Sequence, residues 1–139
     1  MPEAVIVDAI RTPIGRAAKG SLKDVRTDDL AAIPLKALVE RNPGVDFSET
    51  VDVMMGCGFQ MGEAGYNIGR NAALLAGIDH HVPALTVSRF CASSNVLRTC
   101  SARRSLDRIS EIRISAFFGI SLPTDSPVEG LATSLILSA

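Results

Sequence analysis

The sequence predicts an α/β protein with a mainly parallel sheet. Short runs of β-branched and other apolar residues alternate with longer segments of helical periodicity, in the order strand, helix, strand, helix, strand, helix, strand. Gly, Pro or Asn separates most of these segments. Because neighbouring parallel strands require a crossover connection, which a helix normally supplies, the order βαβαβαβ indicates parallel strands covered by helices.

The four predicted strands are short and rich in Val, Ile, Leu or Met. They are EAVIVDAI (3–10), ETVDVMMGCGF (49–59), VPALTV (82–87) and SEIRISAFFGI (110–120). Continuous apolar runs of this length are typical of strands that are buried on both faces. We therefore expect the first strand to be as buried as the others.

Three helical segments connect the strands. In RTDDLAAIPLKALVERN (26–42), Thr27 is a candidate cap, Ile33 and Leu38 lie on the apolar face, and Pro34 is a local flaw. In GYNIGRNAALLAGI (65–78), Asn67 is a candidate cap, and Gly77 is the expected terminator. A third helix is predicted from about residue 92.

Composition and charge exclude several classes of protein. The chain has 139 residues, 47% hydrophobic and 21% charged, as expected for one globular domain. The net charge of −1 gives no general attraction to nucleic acid or to an anionic membrane. The N-terminus lacks the pattern of a signal peptide or membrane span, so we expect a cytoplasmic protein. Three cysteines without a CxxC pair favour a reducing compartment and predict neither disulfides nor a metal site.

Cys91 is the candidate nucleophile. The strand ALTV ends just before it, Ser88 to Phe90 form a turn, and ASSN begins a helix after it. The turn after a strand of a parallel sheet faces the crevice where ligands bind, and a thiol at a helix start with Arg89 nearby gains thiolate character. The alternative is that Cys91 packs as a small buried hydrophobic residue, the more common role of cysteine.

No base accompanies this thiol in the sequence. His80 and His81 are the only histidines, and they precede the strand that leads to Cys91. At about 3.3 Å per residue, that segment separates them from the turn by roughly 20–25 Å. We predict that both histidines are exposed in a loop and that Cys57 and Cys100 are buried packing residues.

The sequence from residue 3 to residue 94 resembles the N-terminal part of the thiolase family. The matching elements are EAVIVDAIRTPIGRAAKGSL, DDLAA, VDVMMGCGFQMGEAGYNIGRNAALLAGI and VPALTVSRFCASS. The resemblance implies a partial thiolase-like layered fold, an incomplete N-terminal half. On this basis residues 1–120 are interpreted as a truncated thiolase N-terminal domain, and residues 121–139 are a tail without assignment.

The resemblance also implies an acyl-CoA C-acyltransferase that uses Cys91 as its acyl-thioester nucleophile. The substrates would be coenzyme A thioesters, either 3-ketoacyl-CoA in thiolysis or acetyl-CoA in condensation, with no bound cofactor. Ser88 stands where many members have asparagine. The residues that match the family's loop near the active site are interpreted as structural: Gly56, Gly58, Gly62, Gly65 and Asn67, with Arg70 in the same motif.

The resemblance implies that this chain alone is inactive. The family's activating histidine and its second, proton-shuttling cysteine belong to parts that this sequence lacks. The alternatives are a non-enzymatic interaction subunit or a non-functional fragment of a thiolase. The expected partners are acyl-CoA or acetyl-CoA and either a second copy of the chain or a thiolase-like chain, with neither nucleic acid nor a membrane.

The segment after about Asn95 departs from the family pattern. The family's corresponding helix is buried, whereas this one carries four arginines scattered around its circumference: Arg98, Arg103, Arg104 and Arg108. Because an unpaired buried charge costs several kcal/mol, we expect divergent or replaced sequence here. A nucleic-acid interface is disfavoured, since no aromatic residues interleave and the charges form no single face.

Overall fold

The fold was examined in a computed structural model that describes residues 4–13, 15–16, 18–93, 112–118 and 132–138. Within these ranges it contains five strands and two α-helices. In chain order they are β1 (Ala4–Arg11), α1 (Thr27–Arg41), β2 (Thr50–Cys57), α2 (Ile68–Leu75), β3 (Ala84–Val87), β4 (Ile112–Phe118) and β5 (Ala132–Ser138). The third predicted helix, its four arginines and Cys100 lie outside the described residues.

The strands form one sheet in the order β1-β5-β4-β2-β3. Strand β2 pairs in parallel with β3 on one side and with β4 on the other. Strand β5 is antiparallel to both β4 and β1, so β1 runs in the same direction as the other three strands. This arrangement confirms the predicted α/β class with a mainly parallel sheet, and the fourth predicted strand is present as β4.

Strand β5 occupies part of the tail that the sequence left unassigned. It pairs with β1 from Ala4 opposite Ser138 to Arg11 opposite Ala132. Its other edge pairs with β4, with Ile112 opposite Leu137. Residues 132–138 therefore complete the sheet between β1 and β4.

Both helices pack on one face of the sheet. Alternate residues of β2 point to this face, as the two-residue repeat of a strand requires. Burying each large apolar side chain stabilises the fold by about 1.5–3 kcal/mol. The large, fully buried residues of this core are Leu35, Leu38, Val53, Met55, Ile68, Val82 and Ile114.

Helix α1 differs from its prediction at its start and on its apolar face. The cap position is Arg26, not Thr27, and the backbone N–H of Thr27 donates to a carboxylate oxygen of Glu63 at 3.1 Å. Ile33 is half exposed, because Leu35 and Leu38 set the face that meets the sheet. Pro34 lies inside the helix and is buried in the core without ending the helix.

Strand β1 also differs from its prediction. The side chains of Val5, Ile6 and Val7 are exposed, with 60% exposure at Ile6, although the apolar run predicted burial. The reason is position, since β1 lies at the edge of the sheet in the described residues. A run of apolar residues therefore did not distinguish an edge strand from a central one.

Candidate active site

The candidate site lies where β2 and β3 end. Gly56 pairs with Val87 at the last step of the parallel register, so the chain leaves both strands at the same edge of the sheet. After β3, residues 88 and 89 lead into a 3-10 helix, Phe90–Ala92, with Cys91 at its centre. Residues 88–93 are called the cysteine turn below. Cys91 is exposed. Its position matches the predicted strand-to-turn transition.

The turn contains a strained residue immediately before Cys91. Phe90 has a φ of 46°, in the left-handed region. A bulky residue rarely adopts this conformation, which costs about 1–3 kcal/mol and persists only where the surroundings impose it. Nothing in the identity of a phenylalanine predicts this conformation.

Ser93 closes the turn from within. Its side chain is completely buried. Its hydroxyl oxygen accepts a hydrogen bond from the backbone N–H of Arg89 at 2.8 Å and donates one to the carbonyl oxygen of Phe90 at 2.7 Å. The two bonds enclose the left-handed residue, and Cys91 lies within the closed loop.

The end of β2 supports the turn from the neighbouring strand. A Cβ added at Gly58 would lie 3.1 Å from the carbonyl oxygen of Phe90, so the absence of a side chain allows the two backbones to approach. The Ser88 hydroxyl donates to the Gly58 carbonyl oxygen at 3.3 Å. Gly58, interpreted from the sequence as structural, thus connects the segment just after β2 to the cysteine turn.

Asn67 connects the start of α2 to β3. It is the N-cap of α2, with a φ of 62°, and its side-chain oxygen accepts from the backbone N–H of Arg70. Its side-chain nitrogen donates to the carbonyl oxygen of Ala84 at 2.9 Å. The Thr86 hydroxyl donates to the Asn67 side-chain oxygen at 2.7 Å and accepts from the Gly69 N–H at 3.0 Å. The predicted cap is confirmed, and its contacts to β3 exceed those of a simple cap.

Arg70 holds the segment that enters β3. Its guanidinium donates to the carbonyl oxygen of Val82 at 2.6 Å and to that of His80 at 2.7 Å. A guanidinium presents several donors in a fixed plane, so one side chain satisfies two carbonyl groups of the loop. Together, Asn67 and Arg70 fix β3, and through it the position from which the cysteine turn departs.

The remaining motif glycines shape the loop between β2 and α2. Gly56 is buried in β2, and Gly62 has a φ of 57°, which glycine adopts without strain. A Cβ added at Gly65 would lie 3.0 Å from the carbonyl oxygen of Gly62. These positions fit the structural role predicted for them.

Similarity to a known protein family accounts for the combination of the β2–α2 loop, the Asn67 cap and the cysteine turn. The family profile described as "Thiolase, N-terminal domain" matches residues 4–101. The chain belongs to the thiolase family. The match spans β1 to β3 and the Cys91 turn, in agreement with the resemblance noted from residue 3 to residue 94.

Individual thiolases show the same similarity. The chain is 59% identical over 91 residues to the beta-ketoadipyl-CoA thiolase of Pseudomonas aeruginosa, which covers 66% of this chain and 22% of that protein. It is 57% identical over 94 residues to the enzyme of the same name from Acinetobacter baylyi. This alignment covers 68% of this chain and 23% of that protein. It is 43% identical over 120 residues to the 3-ketoacyl-CoA thiolase of Yersinia pestis, and this alignment covers 86% of this chain and 30% of that protein.

The chain thus spans between about a fifth and a third of the length of these curated thiolases, 22% to 30%. The alignments at 57–59% identity span only 91 and 94 residues, and the family profile ends at residue 101. The alignment of 120 residues, which extends past Asn95, has the lower identity of 43%. In the described residues, no helix has both the length and the apolar character needed to cross a membrane.

The two cysteines that the structure describes differ in environment. Cys57, at the end of β2, is buried with 1% exposure, as predicted, and Cys91 is exposed. Burial raises the pKa of the Cys57 thiol, because the thiolate is poorly solvated there. Both the burial and the raised pKa disfavour the reactive thiolate at Cys57.

The histidines lie at the other end of β3 from Cys91. Both are exposed, which confirms the sequence prediction, and their rings contact each other with centroids 4.0 Å apart. With Asp79 they place metal-binding atoms within 4.8 Å of one another, although the sequence predicted no metal site. All three side chains are exposed, and the group is separate from the cysteine turn.

Sequence reasoning missed three contributors to this site: Phe90, Ser93 and Thr86. Ser93 was interpreted only as part of the ASSN segment that begins a helix. Thr86 was part of a strand with no assigned role. A hydroxyl at the second position after a candidate nucleophile was the one available signal, since Ser and Thr often bond to nearby backbone groups.

Proposed function

We propose that this chain supplies the nucleophile of a thiolase-type acyl transfer, with Cys91 as the residue that becomes acylated. The observation that supports the proposal is the exposed thiol in a strained, hydrogen-bonded turn at the carboxyl edge of the sheet. Strain concentrated at a reactive residue is common in active sites. The names of the thiolase relatives support coenzyme A thioesters as the substrates.

The proposed reaction begins with the Cys91 thiolate. Its sulfur attacks the keto carbon of a 3-ketoacyl-CoA, the bond between that carbon and C2 breaks, and C2 takes up a proton to give acetyl-CoA. The acyl group remains on Cys91 as a thioester. The thiolate of a second CoA then attacks this thioester and releases acyl-CoA, which regenerates the Cys91 thiolate. In reverse, the same site condenses two acetyl-CoA molecules.

We further propose that this chain alone does not turn over. Proton transfers to C2 and from CoA require a base near Cys91. The only histidines, His80 and His81, lie at the opposite end of β3. We place the reaction in the cytoplasm, because a thiol nucleophile and a buried free thiol at Cys57 both suit a reducing compartment.

The test is acylation of the purified chain by acetyl-CoA, in which the Cys91 sulfur takes the acetyl group and CoA thiol is released. Mass spectrometry of proteolytic peptides would locate the acetyl thioester. We expect it on Cys91, with no adduct in Cys91→Ala and an unchanged adduct in Cys57→Ala. Steady thiolysis of acetoacetyl-CoA should remain undetectable for all three proteins.

Iodoacetamide provides the control for accessibility. We expect Cys91 to react at least about ten times faster than Cys57, because the thiolate is the nucleophile and burial disfavours it at Cys57. Denaturant should remove this difference. Acetylation of Cys57 in preference to Cys91, or of neither residue while Cys91 remains alkylated rapidly, would contradict the proposal.

A second candidate function is a non-enzymatic subunit that pairs with another thiolase-like chain or with its own copy. Large apolar side chains are exposed in the cysteine turn and in the segment between β2 and α2: Phe59, Met61, Tyr66 and Phe90. Exposed apolar surface is a common feature of protein interfaces. We expect native mass spectrometry of the chain mixed with a full-length thiolase to show a mixed oligomer if this role applies. Monomeric chain in the presence of the thiolase would exclude it.

A further inference from the structure

Ser93 is polar and completely buried, and within the described residues its hydroxyl bonds to the backbone of the cysteine turn. It joins the N–H of Arg89 and the carbonyl oxygen of Phe90, the two groups on either side of the left-handed residue. The closed loop includes Cys91, which is itself exposed. The side chain that fixes the turn is thus buried, whereas the thiol that the turn carries is open to solvent.

We infer that Ser93 is a positioning residue, whose hydroxyl holds Phe90 in its left-handed conformation and thereby fixes the backbone that presents Cys91. The expected effect of Ser93 on acylation rests on the proposed function of Cys91. Its effect on the conformation of residues 89–93 does not depend on that function.

The energies are consistent with this role. A left-handed phenylalanine costs about 1–3 kcal/mol. Two hydrogen bonds that net about 1 kcal/mol each are of the same size. Without the hydroxyl, the Arg89 N–H loses its acceptor, and the Phe90 carbonyl oxygen keeps the backbone N–H of residue 93 but loses the hydroxyl donor. The turn can then relax toward water and toward an unstrained φ. Such a change moves the backbone that carries Cys91.

Acyl transfer and simple alkylation respond differently to this movement. Acylation by a thioester requires the sulfur to meet a carbonyl carbon in a defined orientation, and a displacement of about 1 Å can lower the rate by about 100-fold. Alkylation by iodoacetamide has no such requirement beyond an exposed thiolate. The ratio of the two rates at Cys91 therefore measures positioning separately from exposure.

The experiment compares wild type, Ser93→Ala and the control Ser48→Ala. Ser48 is exposed, and its hydroxyl donates to Asp46 at 2.6 Å, in another part of the chain. We expect Ser93→Ala to lower acetylation of Cys91 by acetyl-CoA at least about tenfold, with alkylation changed less than about threefold. Ser48→Ala should leave both rates at the wild-type value. Equal acetylation in wild type and in folded Ser93→Ala would overturn the inference.

A matched pair of variants keeps the inference testable if Ser93→Ala does not fold. Ser93→Thr and Ser93→Val have side chains of the same shape, and only threonine keeps the hydroxyl. We expect the acetylation rate to be higher in the threonine variant than in the valine variant. Identical acetylation-to-alkylation ratios in the two folded variants would also overturn the inference.

Hydrogen exchange tests the structural part without reference to the reaction. We expect the Arg89 amide to be protected in wild type and to exchange at least about tenfold faster in Ser93→Ala, because its acceptor is lost. An unprotected Arg89 amide in wild type would overturn the inference even if no variant folds. If wild type forms no acetyl adduct but this amide responds as expected, the proposed function fails and the role of Ser93 in the turn stands.

Discussion

The two ends of β3 are held in different ways. At its start, Asn67 and Arg70 make hydrogen bonds of 2.6–2.9 Å to Ala84 and to the loop before the strand. At its end, the turn that carries Cys91 contacts Gly58, the residue after β2, through an exposed hydroxyl bond of 3.3 Å and a close backbone approach. Within the part of the chain that the structure describes, the start is a packed junction and the end is a lightly attached turn.

The two ends of β3 therefore have different roles: the start contributes to the stability of the fold, and the end presents Cys91 to solvent. Ile68 and Gly69 at the junction are buried, so changes there act on the folded state as a whole. Phe90 and Cys91 are exposed, so they contribute little apolar burial. A reactive group benefits from this arrangement, because a rigid strand fixes its position and its own surroundings remain open to substrate.

The comparison predicts that the largest loss of stability comes from Gly69→Ala. A Cβ there would lie 2.7 Å from the carbonyl oxygen of Leu85 and 2.9 Å from the Met55 Cβ. Neither contact can be relieved by rotating a flexible side chain end, so α2 must move away from β2 and β3. We expect the free energy of unfolding to fall by about 2–3 kcal/mol, measured by urea denaturation.

Gly44→Ala is the matched control. A Cβ at Gly44 would meet nothing within 4 Å, and neither glycine has a positive φ. We expect Gly44→Ala to be neutral or slightly stabilising, by up to about 1 kcal/mol. In the folded fraction of Gly69→Ala, the ratio of Cys91 to Cys57 alkylation should stay near the wild-type value. Equal stability of the two variants would show that the junction is not as tightly packed as the structure indicates.

Much of the junction could be predicted from the sequence, because its signals are local. Helical periodicity from Ile68 onward, the capping preference of asparagine and the terminating role of glycine defined α2 from Asn67 to Gly77. The turn was also located correctly, since a strand followed by small residues around Cys91 is a local pattern. The identity of the fold class followed from the order of such patterns.

Contacts between distant segments could not be predicted in this way. Glu63 receives the Thr27 N–H across 36 residues, which left no trace in the sequence around the helix start. The exposure of β1 depends on which strand lies beside it, and the position of β5 depends on pairing with both β1 and β4. The left-handed Phe90 results from its hydrogen-bonded surroundings and not from its own preference.

A change in the turn should have the smallest effect on stability and a specific effect on Cys91. In Gly58→Ala, the added Cβ would lie 3.1 Å from the carbonyl oxygen of Phe90 and 3.3 Å from its carbonyl carbon. A shift of a few tenths of an ångström relieves this contact, and the lightly attached turn can make it. We expect unfolding by urea to change by at most about 1 kcal/mol.

The same shift moves the residue before Cys91, so acetylation of Cys91 by acetyl-CoA should slow at least about threefold, because the orientation of the sulfur is disturbed. Alkylation by iodoacetamide should stay near the wild-type rate. The opposite pattern, a loss of stability as large as in Gly69→Ala with unchanged acetylation, would mean that the turn is part of the packed core. In that case the two ends of β3 would not differ in how firmly they are held, and Cys91 would not lie on a lightly attached turn.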